Sequence, residues 1–280
     1  MSGARRRRLF DAALLGATVL ALTFLLLPLV AIFLRVPLGV LVAQLGSRVA
    51  VDALIVTLET NAIAQALILL VGTPTAYFIA SRRFRGRALA ITLIELPLVL
   101  PPAVAGLALL AAFGRLGLLG STFEVLGVTL STGTKAAVVL AVAYVASPFY
   151  IRGAIASFEA LDQPFLDASR TLGAGPARTF FRIALPIAAK GLGAAAALSF
   201  ARGIGEFGAT IMFAGSLQGV TQTLSLAIYA QFDLDLDVAL SLGALLVVVC
   251  AAILFTVKLL PAWTRSSSTS VYPFAPSGSS

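Results

Sequence analysis

SFEALDQPFLDASRTLGAGPARTFFRIALPIAAK, residues 157–190, is a charged island between two long apolar runs. Residue chemistry orders it internally. Pro164 suits the first turn of a helix, where its missing N–H costs nothing. From there Phe165, Leu166, Ser169 and Leu172 share one helical face. Gly173 and Gly175 stop that helix, since glycine readily takes the left-handed conformation of a helix end. Pro176 then starts a second helix, whose Phe180, Phe181, Ile183 and Ala184 run into Leu185-Pro186. The segment predicts a short helix, a glycine break and an amphipathic lead into the next apolar run. Periodicity alone also fits a plain connecting helix at a membrane interface.

On either side the chain is too apolar for water. Of its 280 residues 59% are hydrophobic and only 11% charged, with mean hydropathy +1.01. A soluble domain carries roughly 25% charged residues. Arg5, Arg6, Arg7 and Arg8 precede residues 12–34, which are 23 residues without a charge. A signal peptide has an apolar region of only about 7–15 residues, so this is read as an uncleaved first span. A second run covers 51–80, interrupted by Asp52, Glu59 and Asn61. A third, 88–113, contains Glu95, Pro97, Pro101 and Pro102, and a fourth, 136–151, carries Pro148. The fifth, 191–214, holds Arg202 and Glu206; the sixth is 238–260. Six spans are expected.

The basic residues orient them. With the N-terminus in the cytoplasm, fifteen of the 20 Lys and Arg fall on the cytoplasmic side. They are the four near the N-terminus, Arg82, Arg83, Arg85, Arg87, Arg152, Arg170, Arg178, Arg182, Lys190, Lys258 and Arg265. Only Arg35, Arg48, Arg115 and Lys135 fall outside, and Arg202 lies within a span. That asymmetry predicts both termini inside. The expected organisation is a basic N-terminus (1–10), one membrane domain (11–264) and a Ser/Pro-rich tail without a core (265–280).

Several functions are excluded or weakened. There is no His, and Cys250 stands alone, so no Cys/His metal site or internal disulfide exists. The net charge of +8 is spread between apolar runs as topogenic signals are, not gathered for nucleic acid. No G-x-x-x-x-G-K-[ST] loop is present, so the chain does not bind ATP by that means. No 20–50-residue repeat is visible, which disfavours repeat-built secondary transporters. Asp233-x-Asp235-x-Asp237 begins like a calcium loop, but Val238 and Ala244 replace the required Gly and Glu. It reads as the solvated outer edge of the sixth span.

Asp167-Ala168-Ser169, then Gly173, then Ile183-x-Leu185-Pro186 resembles the EAA motif of permeases of ATP-binding-cassette importers. The family pattern is E-A-A, three residues, G, nine residues, I-x-L-P, and the spacing agrees throughout. Asp167 departs from Glu, and Ser169 from the second Ala. The resemblance implies an all-α integral membrane protein with six transmembrane helices, of the type I importer permease fold. It makes the 157–190 loop a cytoplasmic coupling helix that docks in a cleft of an ATPase subunit. It further implies a second copy of the chain, two ATP-binding-cassette ATPase subunits and an external oxyanion-binding protein. The chain would hold no cofactor and no hydrolytic site; ATP and Mg would sit on the partner ATPase.

Two more segments are similar to the molybdate group of these permeases. One is Leu96-Pro97-Leu98-Val99-Leu100-Pro101-Pro102-Ala103-Val104, followed by Gly114-Arg115-x-Gly117-x-x-Gly120. The other is Gly205-Glu206-Phe207-Gly208-Ala209-Thr210-Ile211-Met212, continued by Ala214-Gly215 and Thr221-Gln222-Thr223-Leu224. The implied task is import of molybdate or tungstate across the cytoplasmic membrane, with sulfate or thiosulfate as the alternative. Physics adds that Arg202 and Glu206, four apart, share a helical face. Intramembrane charges normally face a bundle interior or a water-filled cavity. Arg202, Gly205, Glu206, Phe207, Gly208, Thr210, Pro101 and Pro102 are therefore the candidate lining of a translocation path. The plainer alternatives are a structural ion pair, proline kinks and glycine packing. An ion-coupled secondary transporter using Glu59 or Glu95 is the rival from another class.

Overall fold

The computed structural model describes residues 3–125, 130, 132–161, 169, 171 and 173–263. Among these every regular element is a helix. Five are long and apolar enough to cross a membrane: α1 (Gly3–Arg35), α3 (Arg48–Ser81), α7 (Lys135–Glu159), α8 (Pro176–Ile204) and α11 (Leu236–Trp263). The sixth crossing is a broken pair, α4 (Arg87–Val99) and α5 (Pro102–Phe113), bent by 113°. Shorter helices join them: α2 (Leu38–Leu45), α6 (Gly120–Val125), α9 (Gly208–Phe213) and α10 (Leu224–Phe232). The expected all-α membrane architecture stands. The 265–280 tail lies outside the described residues.

Why these helices pack is visible in α7. Its buried face carries Ala137, Ala141, Ala146 and Ala154, small residues that let α3 and α8 approach closely. Where lipid supplies no hydrophobic drive between helices, hydrogen bonds add to such packing. Ser199 Oγ of α8 donates to the Ala146 carbonyl at 2.9 Å. Thr73 Oγ1 of α3 and the Tyr150 hydroxyl of α7 lie 2.6 Å apart. The outer faces are the reverse of a soluble protein's. Leu20, Phe24, Leu25 and Leu34 of α1 are all exposed, which suits acyl chains.

Three spans differ from the sequence reading. The third bends because Pro101 and Pro102 force the residue before each into extended geometry. Leu100 has ψ 135° and Pro101 ψ 134°, and α5 restarts with Pro102 in its first turn. The fourth runs on to Glu159, so Arg152 sits inside a helix and not in a loop. The fifth begins at Pro176 and ends at Ile204, well before residue 214. Arg182 and Lys190, placed before the fifth run by the sequence reading, lie within this helix, and both are exposed. Pro186 has no N–H to continue the ladder. The helix absorbs this with a π-turn over Phe180–Ala184, in which the Leu185 N–H donates to the Phe180 carbonyl.

Candidate functional site

The two broken segments meet. The turn after α8, residues 205–207, brings α9 against α5, and Gly208 is the point of closest approach. A Cβ on Gly208 would lie 2.4 Å from the Pro102 Cβ, where no real contact is found. Gly203, one turn earlier, is as tight: a Cβ there would meet Asn61 Oδ1 at 2.6 Å. Gly208→Ala is thus expected to destabilise by about 1–3 kcal/mol through overpacking. A thermal melt of the purified protein in detergent should fall by several degrees; an unchanged midpoint would mean that α5 shifts freely.

Beneath this crossing lies a small cavity of about 120 Å³. Pro97, Leu98 and Pro102 form one wall, Val145 and Phe149 of α7 another, and Arg202 supplies its charge. Arg202 Nη2 stands 2.7 Å from Glu206 Oε2. The two were expected on one helical face. The structure corrects this: α8 ends at Ile204 and Glu206 is non-helical, since Gly203 and Gly205 weaken the last turn. The ion pair forms nonetheless. Glu206 is 1% exposed and its Oε1 accepts the Ala209 N–H at 2.8 Å, capping α9. Arg202 remains 30% exposed and lines the cavity.

The other candidates divide. Thr210 is fully buried on α9, and its Oγ1 has no hydrogen-bond partner among the described residues. Phe207 turns away to pack on Tyr229, ring centroids 5.0 Å apart. A Cβ on Gly205 would meet no atom within 4 Å, and Pro101 serves as the N-cap residue of α5. Asn61 and Phe149 are neighbours of the site that the sequence reading did not select. A lone buried Asn in an apolar run was the available signal for the first; nothing marked the second.

Of the coupling segment, Asp167 and Ala168 lie outside the described residues. What is described supports the glycine break. Gly173 has φ +81°, and the Ala174 N–H donates to the Ser169 carbonyl at 3.0 Å. That six-residue closure over a left-handed glycine is the Schellman end of a helix. Ser169 Oγ lies 3.2 Å from Thr179 Oγ1, tying the two sides of the break together. Ile183 belongs to the π-turn and Leu185 and Pro186 to the rest of α8, so the motif's end is continuous with a membrane span.

The carboxylates of the rival reading are both tied to cations. Glu59 Oε2 lies 2.6 Å from Lys135 Nζ, and Glu95 Oε1 lies 3.1 Å from Arg152 Nη1. Among the described residues no His/Cys/Asp/Glu group could hold a metal. Asp235 instead caps α11, its Oδ1 accepting the Asp237 and Val238 N–H groups.

Comparison with known proteins identifies the family. The chain is 41% identical over 239 residues to the molybdenum transport system permease protein ModB of Mycobacterium tuberculosis, covering 85% of this chain and 90% of that one. It is 36% identical over 258 residues to a probable molybdenum ABC transporter permease protein of Haloferax volcanii, covering 87% and 94%. Among solved structures, a bacterial alginate ABC transporter in complex with its pentasaccharide-bound periplasmic protein contains a chain of the same fold. Its TM-score is 0.73 at 16% identity, covering 95% of this chain and 98% of that one. The family model for binding-protein-dependent transport system inner membrane components matches residues 69–264. The chain belongs to that family.

Proposed function

We propose that this chain is the permease subunit of an ATP-driven importer that moves molybdate, and by the same chemistry tungstate, across the cytoplasmic membrane. The near full-length likeness to molybdenum permeases carries this reading. An arginine in the last turn of α8, beside a cavity inside the bundle, supports it, because a tetrahedral dianion needs a fixed positive charge where water is scarce. In this reading the chain has no hydrolytic site of its own. ATP and Mg belong to two partner ATPase subunits, which the coupling segment around Gly173 engages. A second copy of the chain completes the path, and an external oxyanion-binding protein delivers the substrate. Both termini lie in the cytoplasm, consistent with the distribution of Lys and Arg. ATP binding draws the coupling helices together and opens the path outward; hydrolysis returns it inward.

The test is reconstitution in liposomes with the cognate ATPase and binding protein, comparing molybdate, tungstate and sulfate. Uptake that requires ATP and prefers molybdate or tungstate is the expected outcome. ATP-dependent uptake preferring sulfate would overturn the substrate and keep the mechanism. Uptake driven by an ion gradient without the ATPase would overturn both.

A further inference from the structure

Two arginine–carboxylate pairs bridge α4 and α7 at successive depths, and the Arg202–Glu206 pair stands beyond them beside α7. Arg87 pairs with Glu159 where both helices reach the cytoplasmic rim, beside Arg82, Arg83 and Arg85. Arg152 lies seven residues further in along α7, about 10 Å, and its partner Glu95 lies eight residues in along α4, about 12 Å. Phe149 and Val145, which wall the Arg202 cavity, are about 15–20 Å in. Val145, Phe149, Arg152 and Glu159 follow one another at spacings of four, three and seven, so they form a single stripe on α7. Arg202, Arg152 and Arg87 therefore form a descending series, each balanced by one acid.

Arg152 is the unexplained member. Its side chain is 57% exposed, although Glu95 anchors it at this depth and prevents it from reaching out to the headgroups. A charge so exposed inside a span meets water or another ion rather than lipid. We infer that Arg152 is a second anion contact of the translocation path, on the cytoplasmic side of Arg202, with Glu95 as its displaceable counter-ion. The inference rests on the transport reading above. Its chemistry is competition. A dianion leaving Arg202 exchanges with the Glu95 carboxylate for the Arg152 guanidinium. Glu95 then retakes the guanidinium and releases the anion inward, so the strong charge does not become a trap.

The experiment uses the assembled transporter in liposomes loaded with ATP and graded lumenal molybdate, the ATPase facing the lumen. Arg152→Gln is expected to slow uptake about tenfold. Because a half-buried carboxylate left without its cation perturbs the fold by itself, the double variant Glu95→Gln/Arg152→Gln is read alongside. It should remain as slow as Arg152→Gln. Glu95→Gln alone should let lumenal molybdate inhibit uptake at about tenfold lower concentration, since nothing displaces the anion from Arg152. Recovery of wild-type rate in the double variant would make the pair structural only and overturn the inference. Unchanged lumenal inhibition in Glu95→Gln would overturn it too. Failure of the wild-type assembly to take up molybdate with ATP would instead sink the transport reading itself, and the inference with it.

Discussion

Replacing Arg202 with glutamine is expected to lower ATP-driven molybdate uptake by about a hundredfold, the factor that roughly 2.7 kcal/mol of lost barrier stabilisation gives. The structure shows why this variant must not be read alone. Glu206 is 1% exposed and Arg202 is its only ion-pair partner among the described residues. Removing the cation leaves an uncompensated buried carboxylate, at a cost of about 3–5 kcal/mol. Arg202→Gln should therefore also be less stable in detergent. The double variant Arg202→Gln/Glu206→Gln separates the two effects, because the glutamine amide still accepts the Ala209 N–H that Glu206 accepts now. Stability should return toward that of the parent, and uptake should not. If uptake returned with stability, Arg202 would be a structural ion and the path would run elsewhere.

Much of this arrangement was legible in the sequence, and the parts that were not have a common cause. Long apolar runs announced the spans because lipid tolerates little else. Gly173 and Pro176 marked a helix end and a helix start by local backbone chemistry, and both are found as read. Boundaries inside the membrane were harder to place. Lys190 reads as the cytoplasmic edge of the fifth span, yet hydropathy does not register that a long cationic side chain can lie along a helix. The 113° bend needs Leu100 and Pro101 both extended, whereas one proline alone would only kink the helix. The pairing of Glu95 with Arg152 is tertiary: 57 residues separate them, and only the packing of α4 on α7 brings them together. The Arg202–Glu206 pair was found by the right rule for the wrong reason. Its helical register fails, but a glycine turn folds the carboxylate back to the same guanidinium.

Gly173→Val is expected to uncouple the motor from the path: the assembled transporter should keep hydrolysing ATP while molybdate moved per ATP falls about tenfold. The argument begins with φ. At +81° a β-branched side chain clashes with its own backbone, at a cost of about 1–2 kcal/mol or more. Among the described residues a Cβ at this site would meet no atom within 4 Å, so the resistance to substitution is that of the backbone angle. The substituted chain relieves the strain by leaving the left-handed region, which breaks the closure between the Ala174 N–H and the Ser169 carbonyl. The helix end then no longer holds its angle to the segment that continues through Pro176 into α8. Motion of an ATPase cleft would bend that joint instead of moving the span. A series of substitutions tests cause against coincidence. Asparagine tolerates the left-handed region and should retain most coupling, alanine less, and valine least. Gly175→Ala serves as control, because φ there is −66° and its Cβ would also meet no atom within 4 Å among the described residues. Coupling that followed side-chain volume at both positions, or a valine variant transporting at the parent rate, would remove Gly173 from the mechanism.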